Sequence, residues 1–212
     1  MRVSIIVSIY NGSDILPITI PPLLNQDYPK EKTEIIFVND ASTDDSSSFL
    51  EPLVSLQHIS LISHSENKGR TFTRNSGIKK ATGELLIFLD CDIEVESDFI
   101  SNHVKYHRDK DVIGLVSHIC TKKTKLKNKY RKYVFFGRRG AQIIGPNKPL
   151  PFKYFIMGCS SIKSFAIKKT GLYNEDLSTY GIDLEYANRL ERRYPNKLFY
   201  SDKIKVYMHK VK

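Results

Sequence analysis

The run Leu86-Ile87-Phe88-Leu89 passes without a break into Asp90-Cys91-Asp92. Four consecutive apolar residues read as a strand buried on both faces, which requires a sheet covered by helices on either side. The two carboxylates that stop the run cannot be buried without partners. In open α/β sheets ligands gather outside the carboxyl ends of the strands, so Asp90 and Asp92 point to a site. Two hard oxygen ligands there suit Mg²⁺ or Mn²⁺, which bind one or two carboxylates together with substrate phosphates. Taken alone, an Asp-x-Asp is more often a turn or a helix cap.

Two other strands end in the same way. Val3-Ser4-Ile5-Ile6-Val7-Ser8-Ile9 runs into Tyr10-Asn11-Gly12, and Thr33-Glu34-Ile35-Ile36-Phe37-Val38 runs into Asn39-Asp40-Ala41-Ser42. Then comes Asn67-Lys68-Gly69-Arg70-Thr71-Phe72-Thr73-Arg74-Asn75-Ser76-Gly77, followed by Ala81-Thr82-Gly83-Glu84. On these ordered motifs the chain resembles the family 2 nucleotide-sugar glycosyltransferases, which have the GT-A fold. The resemblance implies an α/β, Rossmann-like domain with a mostly parallel central sheet and helices on both faces. It implies one domain over residues 1–212, with about 1–110 binding the nucleotide sugar and about 111–212 binding the acceptor.

Composition is consistent with that reading. A chain of 212 residues, 41% hydrophobic, buries a sizeable core. No apolar run approaches the ~20 residues of a membrane span. Asn11-Gly12-Ser13-Asp14 interrupts the first apolar run, so a strand is expected there rather than a signal peptide. Cys91, Cys120 and Cys159 have no metal-ligand spacing and suit reduced thiols, hence a cytoplasmic protein. The net charge of +10 is concentrated between Lys122 and Arg139, where nine basic residues occur without an acid, interleaved with Tyr130, Tyr133, Phe135 and Phe136. A flexible basic loop near 121–150 is expected, suited to an anionic acceptor or to the anionic inner face of the cell membrane. No nucleic-acid motif accompanies it.

Along the chain, Ser13-Asp14 is expected to open a helix through about Gln26, kinked or split at Pro21-Pro22. Asp44-Asp45-Ser46 should cap a helix to about Leu56. Helices from about Arg70 to Ala81 and from Ser97-Asp98 to about His107 should alternate with strands at Ile59–Ile62 and Val112–Ile119.

In the carboxyl half, Gly181-Ile182-Asp183-Leu184-Glu185 resembles the family's Glu-Asp-x-Asp/Glu-Leu stretch, with Ile182 where Glu is usual. The family's catalytic base then falls on Asp183, which also reads as the N-cap of a helix to about Arg193. The resemblance places the nucleotide-sugar site at Ser8, Tyr10, Asn11, Asp40, Asn67, Gly69, Arg74, Asp90 and Cys91. Asp40 would accept from the uracil N–H, and Arg74 would donate to the sugar or diphosphate. Asp90, Asp92 and His209, at the end of the run Ile204–His209, would hold Mn²⁺ or Mg²⁺. The activity implied is inverting transfer from a UDP-sugar to a glycan or lipid-linked acceptor in bacterial surface polysaccharide synthesis. A dinucleotide oxidoreductase would need Gly-x-Gly-x-x-Gly after the first strand, which Tyr10-Asn11-Gly12-Ser13 is not. A sugar nucleotidylyltransferase would need a Gly-rich phosphate loop, and a glycosidase has no use for the nucleotide pattern. A degenerate domain that only binds nucleotide or glycan would not need Asp90, Asp92 and Asp183 together.

Overall fold

The computed structural model describes residues 1–122, 129, 132–133, 140–177 and 181–209. One eight-stranded sheet organises them, in the order β3-β2-β1-β4-β7-β6-β8-β5. Strands β1 (Val3–Ile9), β2 (Thr33–Asn39), β3 (Ile59–Ser63) and β4 (Leu85–Asp90) form its parallel half. Nearly every residue of β1, β2 and β4 is buried, as strands covered on both faces must be. Their β-branched and aromatic side chains fill the core on alternating sides.

The crossover helices are α1 (Leu16–Leu24), α2 (Ser46–Leu50) and α3 (Gly69–Lys80). Helix α3 lies so close to β1 that a Cβ at Gly77 would collide with Ile6. Helix α1 runs unbroken through Pro21 and Pro22, where a kink is expected, and starts at Leu16. Pro17, Ile18 and Pro21 are exposed while Leu16, Thr19, Ile20 and Leu23 are buried, so the carbonyls that the prolines leave unpaired face water. Helix α2 stops early because Pro52 lacks an N–H, and the chain continues as a 3-10 turn, Glu51–Ser55.

The second half of the sheet is mixed. Strand β7 (Cys159–Lys163) runs antiparallel between β4 and β6 (Gly114–Cys120). That direction brings the loop before β7 beside the carboxyl end of β4, where Asp90 N donates to Gly158 O at 2.9 Å. The long β8 (Leu198–Met208) pairs parallel with β6 and antiparallel with the short β5 (Ile93–Val95). The β6–β8 register shifts between Val116 and His118 of β6, a β-bulge-like irregularity. Helix α5 (Ala141–Ile144) and helix α6 (Ser164–Thr170) are short. Of the loop near 121–150 expected to be flexible, residues 123–128, 130–131 and 134–139 lie outside the described residues.

Helix α4 (Phe99–Asp109) covers β6 and β7 with Phe99, Ile100, His103, Val104 and His107. Both histidines meet serines of the sheet. His103 bonds Ser161 Oγ at 2.8 Å and Ser117 Oγ at 3.0 Å, and His107 Nε2 bonds Ser161 Oγ at 2.8 Å. Burial first, then each one's neighbour (His107 for His103, the Lys163 charge for His107), pushes both imidazoles from 6.5 down to about 3.

Between those values the unfolded chain binds protons that the folded chain refuses, so stability rises with pH through the window and is lost on acidification. Each histidine contributes about 1.4 kcal/mol per pH unit there. Urea unfolding at pH 7.5 and pH 5.5, where carboxylates barely titrate, should differ by roughly 2–3 kcal/mol. His103→Gln should flatten that slope by about half. An unchanged slope in the folded variant contradicts the buried neutral pair.

Candidate functional site

The carboxyl ends of β1, β2 and β4 surround a cleft of about 490 Å³. Ser8, Tyr10, Asn11, Asp40, Asp90, Cys91 and Asp92, all expected at a donor site, line it together with Arg70, Thr73 and Met208. The loop after β1 is stitched to the loop after β2. Asn11 takes a left-handed φ of 50°, its Oδ1 accepts from Thr43 N at 2.8 Å, and its N–H donates to Ser42 Oγ at 3.0 Å. Gly12 N donates to Ser46 Oγ at 2.9 Å, so two adjacent turns form one wall.

Asp40 is only 3% exposed, and its carboxylate is already engaged. Oδ2 accepts from Gly69 N at 2.8 Å, while Oδ1 accepts from Lys68 N at 3.0 Å and meets His64 Nδ1 at 2.7 Å. Asp40 therefore caps α3 from a neighbouring strand, satisfying orphan amides at the positive end of the helix. Asn67 and Gly69 do not line the cleft. Gly69 donates to the Asp40 carboxylate, and Asn67 Nδ2 reaches Asp40 O at 3.4 Å.

Helix α3 then carries Arg74 to the middle of the site. Its guanidinium is 3% exposed. Nη1 donates to Asp183 Oδ1 at 2.6 Å, and Nη2 lies 3.5 Å from Asp90 Oδ1. Burial works against this charge, but Asp183 and Asp90 outweigh it and hold the guanidinium firmly protonated. The Tyr173 ring lies beside it at 5.7 Å, fixed by Tyr173 N donating to Asn75 Oδ1 at 2.9 Å. Arg74 thus joins the two acids rather than opening onto the cleft, while Asn75 anchors the segment beneath.

Asp183 lies in the first turn of α7 (Ile182–Arg193). It is not the expected N-cap: Gly181, at a left-handed φ of 77°, holds that position, as a residue without Cβ can. The Asp183 carboxylate points instead to Arg74 and to Met157 N, which donates to Oδ2 at 3.0 Å. A Cβ at Gly158, the next residue, would strike the Asp90 carboxylate. The Met157-Gly158 turn therefore seats both acids.

His209 follows β8 to the same end of the sheet, and its N–H donates to Asp92 O at 3.0 Å. Its imidazole, expected on a metal, bonds through Nε2 to Glu94 Oε2 at 2.8 Å. Burial raises the Glu94 pKa, but hydrogen bonds from Lys122 and His209 overcome it and hold the carboxyl below its ordinary range. Among the described residues no three His, Cys, Asp or Glu side chains form a metal cluster by themselves. Asp90 and Asp92 on one cleft wall still fit a hard divalent cation, whose remaining ligands are then supplied by substrate phosphates and water.

The profile of glycosyl transferase family 2 matches residues 4–171. The chain belongs to that family. It is 32% identical over 111 residues to a poly(ribitol-phosphate) beta-glucosyltransferase of Bacillus spizizenii, covering 51% of this chain and 18% of that protein. It is 32% identical over 108 residues to the putative glycosyltransferase EpsH of Bacillus subtilis, covering 51% of this chain and 31% of that protein. The match therefore spans under a third of either relative's length. Among solved structures, TarS of S. aureus (residues 1–349), also solved in complex with UDP, superposes with a TM-score of 0.77 at 18% identity, covering 98% of this chain and 60% of that one. The mannosyltransferase PcManGT of Pyrobaculum calidifontis, in complex with GDP-Man and Mn²⁺, gives a TM-score of 0.75 at 22% identity, covering 97% of this chain and 56% of that one.

Within this family 2 domain, sequence reasoning passed over Arg70, His64 and Glu94, and read Lys122 only as the start of the basic segment. Arg70 has a legible signal, since a cation one residue into a helix that starts at the site faces the cleft. His64, Glu94 and the contact of Lys122 with Glu94 become visible only when distant strands meet. Removing a buried charge from between two acids should cost stability, discounted here because both acids are about one-third exposed. Arg74→Met should lower unfolding free energy by about 2–3 kcal/mol, and adding Asp183→Asn should restore part of it. Strictly additive losses in that cycle would show that the two groups do not interact.

Proposed function

We propose that this domain is an inverting, metal-dependent transferase that moves a hexosyl group from a UDP-sugar to a hydroxyl of a glycan or lipid-linked acceptor in bacterial surface polysaccharide synthesis. One observation carries the reading: a single buried guanidinium separates Asp90, on the cleft wall, from Asp183. A carboxylate at a donor cleft and a second carboxylate one side chain away are the two groups that direct glycosyl transfer needs. The name of the Bacillus spizizenii relative supports glucosyl transfer to a poly(ribitol-phosphate)-like polymer, and TarS with UDP and PcManGT with GDP-Man support a nucleotide-sugar donor.

Asp183 accepts the proton of the acceptor hydroxyl as its oxygen attacks the anomeric carbon. The bond from that carbon to the diphosphate breaks, its electrons leave with the nucleotide, and the configuration inverts. Both Asp183 oxygens keep a lone pair beyond the bonds from Arg74 and Met157, so the carboxylate can still accept a proton. Held at one angle by those two donors, it meets the base's need for fixed geometry. Asp90 and Asp92 would hold Mn²⁺ or Mg²⁺, and the cation would supply Lewis-acid neutralisation of diphosphate charge. Arg70, exposed at the cleft, is the side-chain cation suited to touch the donor phosphates directly. Asp40, through its backbone and the α3 terminus that it caps, shapes the end of the cleft suited to uracil.

The basic residues from Lys122 to Arg139 are suited to an anionic membrane surface near such an acceptor, at the cytoplasmic face. Among the described residues no helix is long and apolar enough to cross a membrane. Absence of salt-sensitive sedimentation with anionic vesicles would remove that membrane contact.

The base assignment has a direct check. Asp183→Asn can keep the bond from Arg74 on its one oxygen, gives up that from Met157 N and leaves the Gly181 cap intact, so the fold and UDP binding should survive. Transfer should fall by roughly 10²-fold or more. Near-normal transfer by the folded variant would end the assignment.

A further inference from the structure

Glu94 on β5 is 9% exposed, two residues beyond Asp92, and its carboxylate is divided between two partners. Oε1 accepts from Lys122 Nζ, and Oε2 meets His209 Nε2 at 2.8 Å. Strand register explains the meeting. Glu94 pairs with Tyr207 across the β5–β8 ladder, so the residue after Met208 arrives opposite Asp92 and donates its N–H to Asp92 O at 3.0 Å. Lys122 is further held 5.0 Å from the centre of the Tyr207 ring.

A carboxylate only accepts hydrogen bonds, so His209 must carry a hydrogen on Nε2. The nitrogen left with a lone pair is then Nδ1. Imidazoles that ligate metals have this arrangement, with the far N–H donated to a carboxylate that fixes tautomer and ring plane. A strand pairing alone needs no such side-chain bond, since the backbone ladder already joins β5 to β8.

We propose that Glu94 is a positioning residue that fixes His209 in the Nδ1-ligating tautomer for a divalent cation at Asp92, and that Lys122 ties this arrangement to the start of the basic segment. The proposal rests on the metal-dependent reading given above. It adds that Lys122 and the cation site share one carboxylate.

The test has two readouts besides turnover. ¹⁵N–¹H correlation spectra of the histidine rings, recorded without metal, should show His209 as the Nε2–H tautomer. Electron paramagnetic resonance of free Mn²⁺, titrated in the presence of UDP, gives cation affinity. Glu94→Ala should mix the tautomers and weaken Mn²⁺ by about 10-fold or more, and Glu94→Gln, whose oxygen faces Lys122 and whose NH₂ then donates to Nε2, should shift His209 towards the Nδ1–H tautomer and weaken Mn²⁺ as well. UDP binding in EDTA should match wild type in each variant. An Nδ1–H tautomer in the wild-type protein overturns the proposal without any variant, and so does unchanged Mn²⁺ affinity in Glu94→Ala. Loss of Mn²⁺ binding in Asp92→Asn but not in His209→Ala would overturn it while leaving the donor site standing. A wild-type protein that binds no Mn²⁺ with UDP would sink the metal reading and this inference together.

Discussion

The buried Arg74 guanidinium is the constraint around which the site is arranged. A charge this deep is tolerable only beside acids, and two are supplied from distant parts of the chain: Asp183 at 2.6 Å and Asp90 at 3.5 Å. To meet it, α3 must press onto β1, which Gly77 permits. The start of α7 must also reach the carboxyl end of β4, which the left-handed Gly181 permits. The antiparallel β7 completes the arrangement by delivering Met157 N and the side-chain-free Gly158 to the same point. The charge balance of one arginine therefore fixes how far Asp90, on the cleft wall, stands from Asp183.

A second polar corner repeats the logic at the other side of the cleft. Glu94, buried on β5, is balanced by Lys122 and His209, which arrive from the end of β6 and the end of β8. In both corners a buried ionic side chain, Arg74 in one and Glu94 in the other, is held by hydrogen-bonding partners that arrive from other elements. Asp40 at the α3 terminus is a third case, held by two backbone amides together with the His64 side chain. The cleft wall is thus set largely by where charges find partners, and the apolar sheet supplies the rigid frame beneath.

The parallel half was legible because its signals are local. Val3–Ile9 and Leu85–Asp90 are short, largely apolar and lead into polar residues, and the cleft forms where those ends converge. What stayed hidden depends on contacts between distant residues. Nothing near Asp40 shows that it caps a helix that begins nearly thirty residues later. Asp183 looks like a cap until Arg74 and Met157 are seen to claim its oxygens. The α1 prolines signal a break, and only their exposure explains why none occurs. His103 and His107 sit at helical spacing within an apolar stripe, and their serine partners belong to two other strands.

The account's central claim is that two carboxylates joined by Arg74 perform direct, cation-assisted glycosyl transfer. The measurement that meets it most squarely is ¹H NMR of the anomeric proton during turnover of a panel of α-linked UDP- and GDP-sugars, with Mn²⁺ and with EDTA. The expected result is nucleotide release that requires the cation, with a β-configured product. An α-configured product, or release that proceeds equally well in EDTA, would contradict it.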